Sequence, residues 1–296
     1  MKVLMCIPNI SEGRDRKIVD QISQEIRKTA GVKIQNISSN AHHNRTVFTF
    51  LGPPEPVLEA AKAMAKKAFA LIDMSRQKGS HPRMGAVDVV PFIPLRGLEI
   101  QDAVEISRLF GRFVAGLGVP VYYYADSATR PSRTYLEDLR KGEYEGLAEK
   151  LKSPEWKPDE GEAIFNPIAG ATVTGARFPH ILFNVNLRTQ DRSIAEKIAE
   201  AVRYAGGGYR YVQATALTLE DKNLVQVSMS LTHYDKTPIP RVFETIRSEA
   251  GRYGVEIAGS ELAGPIPMGA LEEIVRHYLK AQNFSVGQII ENVLMD

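Results

Sequence analysis

The sequence has one cysteine and one tryptophan in 296 residues, and almost no surplus of charge: 37 Lys and Arg against 35 Asp and Glu leave a net +2. A single cysteine cannot close a disulfide within the chain, which sets aside disulfide-stapled secreted scaffolds. Cys6 lies in the apolar run of residues 3–7 and reads as a buried, reduced thiol, as expected of a cytoplasmic protein. The balanced charge gives no global attraction towards nucleic acid or an acidic membrane. No apolar run approaches the roughly 20 residues that span a bilayer. The N-terminal run breaks at Pro8-Asn9 and passes into Ser11-Glu12-Gly13-Arg14, so the h-region of a signal peptide is not expected. What remains is a globule, 44% hydrophobic, long enough for one large or two medium domains.

Periodicity organises that length. Residues 2–7 read as a strand, and Ile18, Val19, Ile22 and Ile26 recur at helical spacing over 15–30, where Gly31 stops the helix. Strands follow at 32–37 and 46–51. A helix opened by Pro53-Pro54 presents Leu58, Ala61, Ala65, Ala68 and Ile72, and 87–93 is a further strand. A helix near 101–116 and a strand at 119–124 come next. The order β-α-β-β-α-β returns downstream: strand 180–187, helix 192–204, strands 210–219 and 223–231, helix from Pro240 to about Tyr253, strand 255–258. The expectation is an α+β protein of two ferredoxin-like βαββαβ subdomains, 1–177 and 178–296. Each has an antiparallel sheet with helices on one face, and the sheets face each other across a ligand cleft. The boundary is placed in the irregular stretch 151–178, rich in Pro and Gly.

Chemistry concentrates in a few segments. The loop Met74-Ser75-Arg76-Gln77-Lys78-Gly79-Ser80-His81-Pro82-Arg83-Met84-Gly85 sets an imidazole among cations that favour its neutral form, suiting His81 to proton transfer. The alternative is a solvated basic loop. In His42-His43-Asn44-Arg45 no metal-ligand spacing occurs, so His42 and His43 read as loop residues, while Asn44 and Arg45 offer amide and bidentate carboxylate contacts. Residues 161–177 are apolar and Gly-rich, reading either as a surface for a flat ligand, with Phe165 packing against it, or as a buried inter-domain strand. A P-loop, a Rossmann fingerprint and a GxSxG elbow are absent. His180, His233 and His277 read as structural, and no metal is expected.

Cys6-Ile7-Pro8-Asn9-Ile10-Ser11-Glu12-Gly13, Asn44-Arg45-Thr46-Val47, Leu71-Ile72-Asp73-Met74-Ser75, His81-Pro82-Arg83-Met84-Gly85, Gly175-Ala176-Arg177 and Phe183-Asn184-Val185-Asn186-Leu187 together resemble the formiminotransferase domain family over essentially the whole chain. The resemblance implies transfer of a formimino group from N-formimino-L-glutamate to N5 of tetrahydrofolate, as in histidine degradation, with tetrahydrofolate as co-substrate and a homodimeric assembly. His81 matches the family's catalytic histidine. Gly161, Glu162, Ala163, Ile164, Phe165, Asn166, Pro167, Ile168, Ala169 and Gly170 match its folate-binding segment. Asn44, Arg45, Arg83 and Arg177 are proposed from their chemistry as carboxylate or polar contacts. One departure stands out: Ser38 occupies a position where animal relatives carry an aspartate. A glutamate formyltransferase using N-formylglutamate, or a folate-binding protein without turnover, is the alternative reading.

Overall fold

A computed structural model describes residues 2–295. The chain divides into two compact units, Met1–Arg177 and Phe178–Asp296, and its elements form two sheets in an α+β architecture.

The first unit holds β1 (Leu4–Cys6), β2 (Asn9–Ile10), β3 (Lys33–Asn40), β4 (Arg45–Gly52), β5 (Val87–Pro94), β6 (Val121–Ala125) and β7 (Thr172–Ala176). Its helices are α1 (Arg16–Arg27), α2 (Pro54–Leu71), α3 (Ile100–Gly116) and the short α4 (Leu136–Arg140) and α5 (Leu147–Lys150). Across the sheet the order is β3, β4, then β1 and β2, then β5, β7 and β6. β1 and β2 are two halves of one strand position, each antiparallel to both β4 and β5, and they part at Pro8, which has no N–H to give the ladder.

Local chemistry explains the helices. Asp15 caps α1 by accepting from the Lys17 and Ile18 amides at 2.8 and 3.3 Å, and Val19, Ile22 and Ile26 form the buried stripe. α2 starts on Pro54, whose missing N–H costs nothing there, and buries Leu58, Ala61, Met64, Ala65 and Ala68. A capping box between Glu99 and Asp102 opens α3. These helices cover one face of the sheet, where Phe48 and Phe50 of β4 are fully buried beneath them. The alternating Val47, Thr49 and Leu51 point to the other face and remain half-buried.

This sheet differs from the antiparallel, one-face arrangement expected of a bare βαββαβ unit. β7 runs parallel to both β5 and β6 and lies between them. The segment carrying α4 and α5 packs on the second face: Leu139, Leu147 and Leu151 cluster with Val89, Tyr122, Tyr124 and Val173. β7 reads Thr-Val-Thr-Gly-Ala, buried on both faces, so it shows none of the alternation that betrays a strand. The Thr172 and Thr174 hydroxyls are satisfied by the Val87 and Val90 carbonyls, each at 2.8 Å.

The second unit runs β8 (Ile181–Leu187), α6 (Arg192–Val202), β9 (Val212–Leu219), β10 (Leu224–Leu231), α7 (Ile239–Arg252), β11 (Ile257–Leu262) and α8 (Met268–Leu279). All pairings are antiparallel, in the order β11, β8, β10, β9. Ile181, Phe183, Val185 and Leu187 of β8 pack with Val225, Val227 and Met229 of β10 against Ile198, Val202, Val242 and Ile246 of the helices. The last strand runs from Ile257 to Leu262, with a register shift between Ile257 and Gly259, so it starts later and runs longer than its sequence suggests.

Candidate functional site

Loops at the β2 and β4 ends of the first sheet are tied together by side chains that the sequence scatters over some seventy positions. Asn44 takes a left-handed backbone conformation, φ 49°, immediately before β4. Its carboxamide oxygen accepts from the Gly13 amide at 3.0 Å, and its amide nitrogen donates to the Lys78 carbonyl at 3.2 Å and to Gln77 Oε1. Gln77 in turn donates to Glu12 at 2.9 Å, and the other Glu12 oxygen accepts the Arg14 and Asp15 amides at 2.7 and 2.9 Å. Ser11 Oγ closes the arrangement on the Gly85 carbonyl at 2.7 Å. Three segments thereby hold one geometry around His81.

His81 is half-buried. Its Nδ1 lies 2.7 Å from the Pro82 carbonyl, which can only accept, so Nδ1 carries the proton. Nε2 is then the lone-pair nitrogen, and it accepts from an Arg45 N–H at 2.9 Å. Burial first, and then the Arg45 charge, hold the imidazole below its ordinary pKa, so at neutral pH it is an uncharged base. Arg45 reaches the ring from the first residue of β4, and its other terminal nitrogen donates to Asn9 Oδ1.

A small hollow, with an empty volume of about 180 Å³, opens beside these groups, lined by Ile10, Ser11, His43, Asn44, Arg45, His81, Arg83 and Asp88. Asp88, only 2% exposed, accepts the Met84 amide at 2.8 Å and pairs with Arg140 of α4. Arg83 is equally committed: it donates to Glu143 at 3.0 Å, to Glu145 at 2.7 and 3.0 Å, and to the Gln77 carbonyl at 3.0 Å.

Of the residues singled out from the sequence, the structure gathers Asn44, Arg45, His81 and Arg83 around this hollow. Arg177 stands apart from its lining, following β7, where its side chain bonds Tyr124. Residues 161–170 form a loop whose first part is exposed, with Ile164 64% and Ile168 54% accessible. Its base docks on the His81 loop: Met74 N reaches the Ile168 carbonyl at 2.9 Å, Ala86 N the Ala169 carbonyl at 2.9 Å, and Gly85 bridges Gly170. Asn166 folds the turn by accepting the Ile168 and Ala169 amides at 3.1 and 2.9 Å. Tyr144 clamps it, with its hydroxyl 2.6 Å from the Pro167 carbonyl and its ring 5.6 Å from that of Phe165. Ser38 lies exposed on β3 opposite Val47, on the sheet face that also carries Arg45.

Sequence reasoning passed over Asn9, Glu12, His43, Gln77, Asp88 and Arg140 as site residues. Asp88 carried a usable signal, a carboxylate inside the otherwise apolar strand Val87-Asp88-Val89-Val90, since a buried charge must find a partner. Arg140 carried none. His43, read as a loop residue, has its ring 5.8 Å from that of His81. Among the described residues no group of three or more His, Cys, Asp or Glu is placed to hold a metal ion, and no helix is long and apolar enough to cross a membrane.

Comparison with known proteins places the chain in a family. Residues 3–177 match the formiminotransferase domain, N-terminal subdomain, and residues 182–294 match the formiminotransferase domain. The chain is 44% identical over 296 residues to a glutamate formimidoyltransferase of Streptococcus pyogenes serotype M1, covering 99% of each chain. It is 43% identical to one of Thermoplasma acidophilum, covering 98% of this chain and 97% of that one. A formimidoyltransferase-cyclodeaminase of Mus musculus is 43% identical, but there the match spans only 54% of the longer protein. The chain belongs to the formiminotransferase family.

Proposed function

We propose that this chain transfers the formimino group of N-formimino-L-glutamate to N5 of tetrahydrofolate, releasing glutamate and 5-formiminotetrahydrofolate, with His81 as the proton carrier. The observation that carries the reading is a neutral imidazole with its proton fixed on Nδ1, set in a hollow among guanidinium groups. Whole-length identity to glutamate formimidoyltransferases supports the same reaction, and favours the imino donor over a formyl one. The chain is a transferase of one-carbon units.

The chemistry follows from the bonds that change. N5 attacks the formimino carbon, giving a tetrahedral adduct; N5 must lose a proton and the departing glutamate nitrogen must gain one. His81 Nε2 takes the first proton while the Pro82 carbonyl steadies the resulting imidazolium through Nδ1–H. The same proton then goes to the leaving amine, and the C–N bond to glutamate breaks. No covalent enzyme intermediate is needed, so orienting two bound substrates is a large part of the rate.

Arg45 is the proposed carboxylate contact, while Asn44, its carboxamide engaged by Gly13, Gln77 and Lys78, is better suited to positioning Arg45 than to touching a ligand. Residues 161–170 are the proposed folate-binding segment, which their exposed apolar side chains and docking on the His81 loop support. Arg83, held by Glu143 and Glu145, is better suited to positioning the loop than to gripping a ligand. Arg177 is retained as a contact to the folate acid groups. The strand orders support reading both units as ferredoxin-like βαββαβ folds, the first extended by β6 and β7. A homodimer in the cytoplasm, with no metal, completes the proposal; the buried thiol of Cys6 suits that compartment.

The test is an assay with tetrahydrofolate and each donor in turn. Formation of 5-formiminotetrahydrofolate from N-formimino-L-glutamate is expected. Formation of only a 5-formyl product from N-formylglutamate, or folate binding without either product, contradicts it.

A further inference from the structure

We propose that Arg45 is a latch on His81, released only when an anionic group of the donor takes its guanidinium, so that the requirement for a carboxylate is built into the base itself. This rests on the reading of His81 as the proton carrier, and adds that in the unliganded protein the base is masked.

The imidazole has two nitrogens and both are occupied. Nδ1–H is spent on the Pro82 carbonyl, and the Nε2 lone pair, where a substrate proton must land, is filled by the Arg45 N–H at 2.9 Å. Catalysis therefore requires that N–H to leave. The guanidiniums around the hollow differ in how firmly they are held. Arg83 is paired with Glu143 and Glu145, and Arg140 with Asp88. Arg45 hydrogen-bonds only neutral partners among the described residues, His81 and Asn9, and the carboxylate whose charge reaches it, Asp88, is already paired with Arg140. A cation in that state is underpaired. A carboxylate can take two N–H groups of a guanidinium together in the bidentate geometry that suits it, and a charge-assisted pair outcompetes the bond to a neutral imidazole. Seating the donor's carboxylate would then draw Arg45 off Nε2 and unmask the base in the same step.

The consequence is a specificity rule separate from affinity. An amidine that carries the reactive formimino group but no carboxylate meets a masked base, however much of it is added. N-Butylformamidine is such a donor: attack by N5 forms the same N5–C bond and expels butylamine with the proton taken from N5. Glutarate added separately supplies the missing anion.

The test follows turnover of N-butylformamidine and tetrahydrofolate by the wild-type protein as glutarate is titrated in. At least tenfold activation is expected, and in Arg45→Gln turnover of the same amidine should exceed the glutarate-free wild-type rate and not respond to glutarate. A flat or falling response in the wild-type protein overturns the latch whether or not the variant folds, as does a variant that still needs glutarate. Transfer from N-formimino-L-glutamate is measured on the same preparation; its absence overturns the proposed function, and the latch with it.

Discussion

Gly85 and Gly170 face each other across an antiparallel bridge, and through them the loop carrying His81 is joined to the segment proposed to bind folate. Gly170 has φ 69°, and a Cβ on either residue would sit under 3.0 Å from backbone carbonyl oxygens of the opposite segment: Ala169 and Ala171 for Gly85, Met84 for Gly170. Backbone cannot yield as a side-chain tip can, so the two chains approach this closely only because both positions lack side chains.

Gly85→Ala is therefore expected to separate the two segments. Overpacking of this kind costs about 1–3 kcal/mol. The folate KM should rise more than the KM for the donor, because the loop at 161–170 loses its docking surface. Urea unfolding and the two Michaelis constants check this; an equal change in both constants would argue against a role for the contact in folate binding.

The proposed role of His81 predicts a pH dependence. Its pKa lies below the ordinary 6.5, from burial first and then from Arg45. The acid limb of kcat/KM should accordingly fall below pH 6.5, with activity level above it until another group titrates. The folded state binds fewer protons here than the unfolded one, so this group's contribution to stability is present above the unfolded pKa and is lost as pH falls through the window down to the folded value. Histidine titration by NMR locates the pKa; a value above 6.5 contradicts the environment described.

Asp88 and Arg140 form a buried pair that should be worth more to the fold intact than broken. Asp88→Ala strands a guanidinium whose side chain is 13% exposed, and losing one partner of such a pair costs about 3–5 kcal/mol. Asp88→Ala combined with Arg140→Met should recover much of that loss. Thermal or denaturant unfolding of the single and double variants decides it, and additive losses would show that the charges are not coupled.

Asn44 acts on the site through the backbone. Asn44→Ala removes the acceptor of Gly13 and the donor to Lys78 and Gln77, and leaves a non-glycine residue at positive φ. Buried polar groups left unpaired cost about 1–3 kcal/mol each. Because Arg45 follows directly, kcat for the natural donor should fall along with stability. Asn44→Gly, which relieves the backbone but restores no hydrogen bond, should recover stability only in part and activity little.

The sequence made the fold's repeat visible where side chains alternate or recur at helical spacing, as in β4, β8 and α1. It offered β7 only as one of two readings of residues 161–177, a buried strand, because a strand buried on both faces and built of small residues has no period to decide by. It also gave no sign of the layer containing α4 and α5, whose apolar residues Leu139, Leu147 and Leu151 are too sparse to define a face. At the site, His81, Asn44 and Arg45 stood out because their residue types imply chemistry in loops. Glu12, Gln77 and Arg140 did not, because their importance lies in partners 33 to 65 residues away. Arg83 runs the other way: an arginine two residues from the proposed catalytic histidine invites a ligand role, and in the structure its guanidinium is held by Glu143 and Glu145.

The central claim, that His81 carries the proton between the two nitrogens, is tested most directly by His81→Ala. Transfer from N-formimino-L-glutamate to tetrahydrofolate should drop by about 10²–10⁴-fold in kcat, the usual worth of a positioned acid–base group, while tetrahydrofolate still binds by direct titration. Near-normal turnover in that variant, with its fold and folate binding intact, would contradict the account.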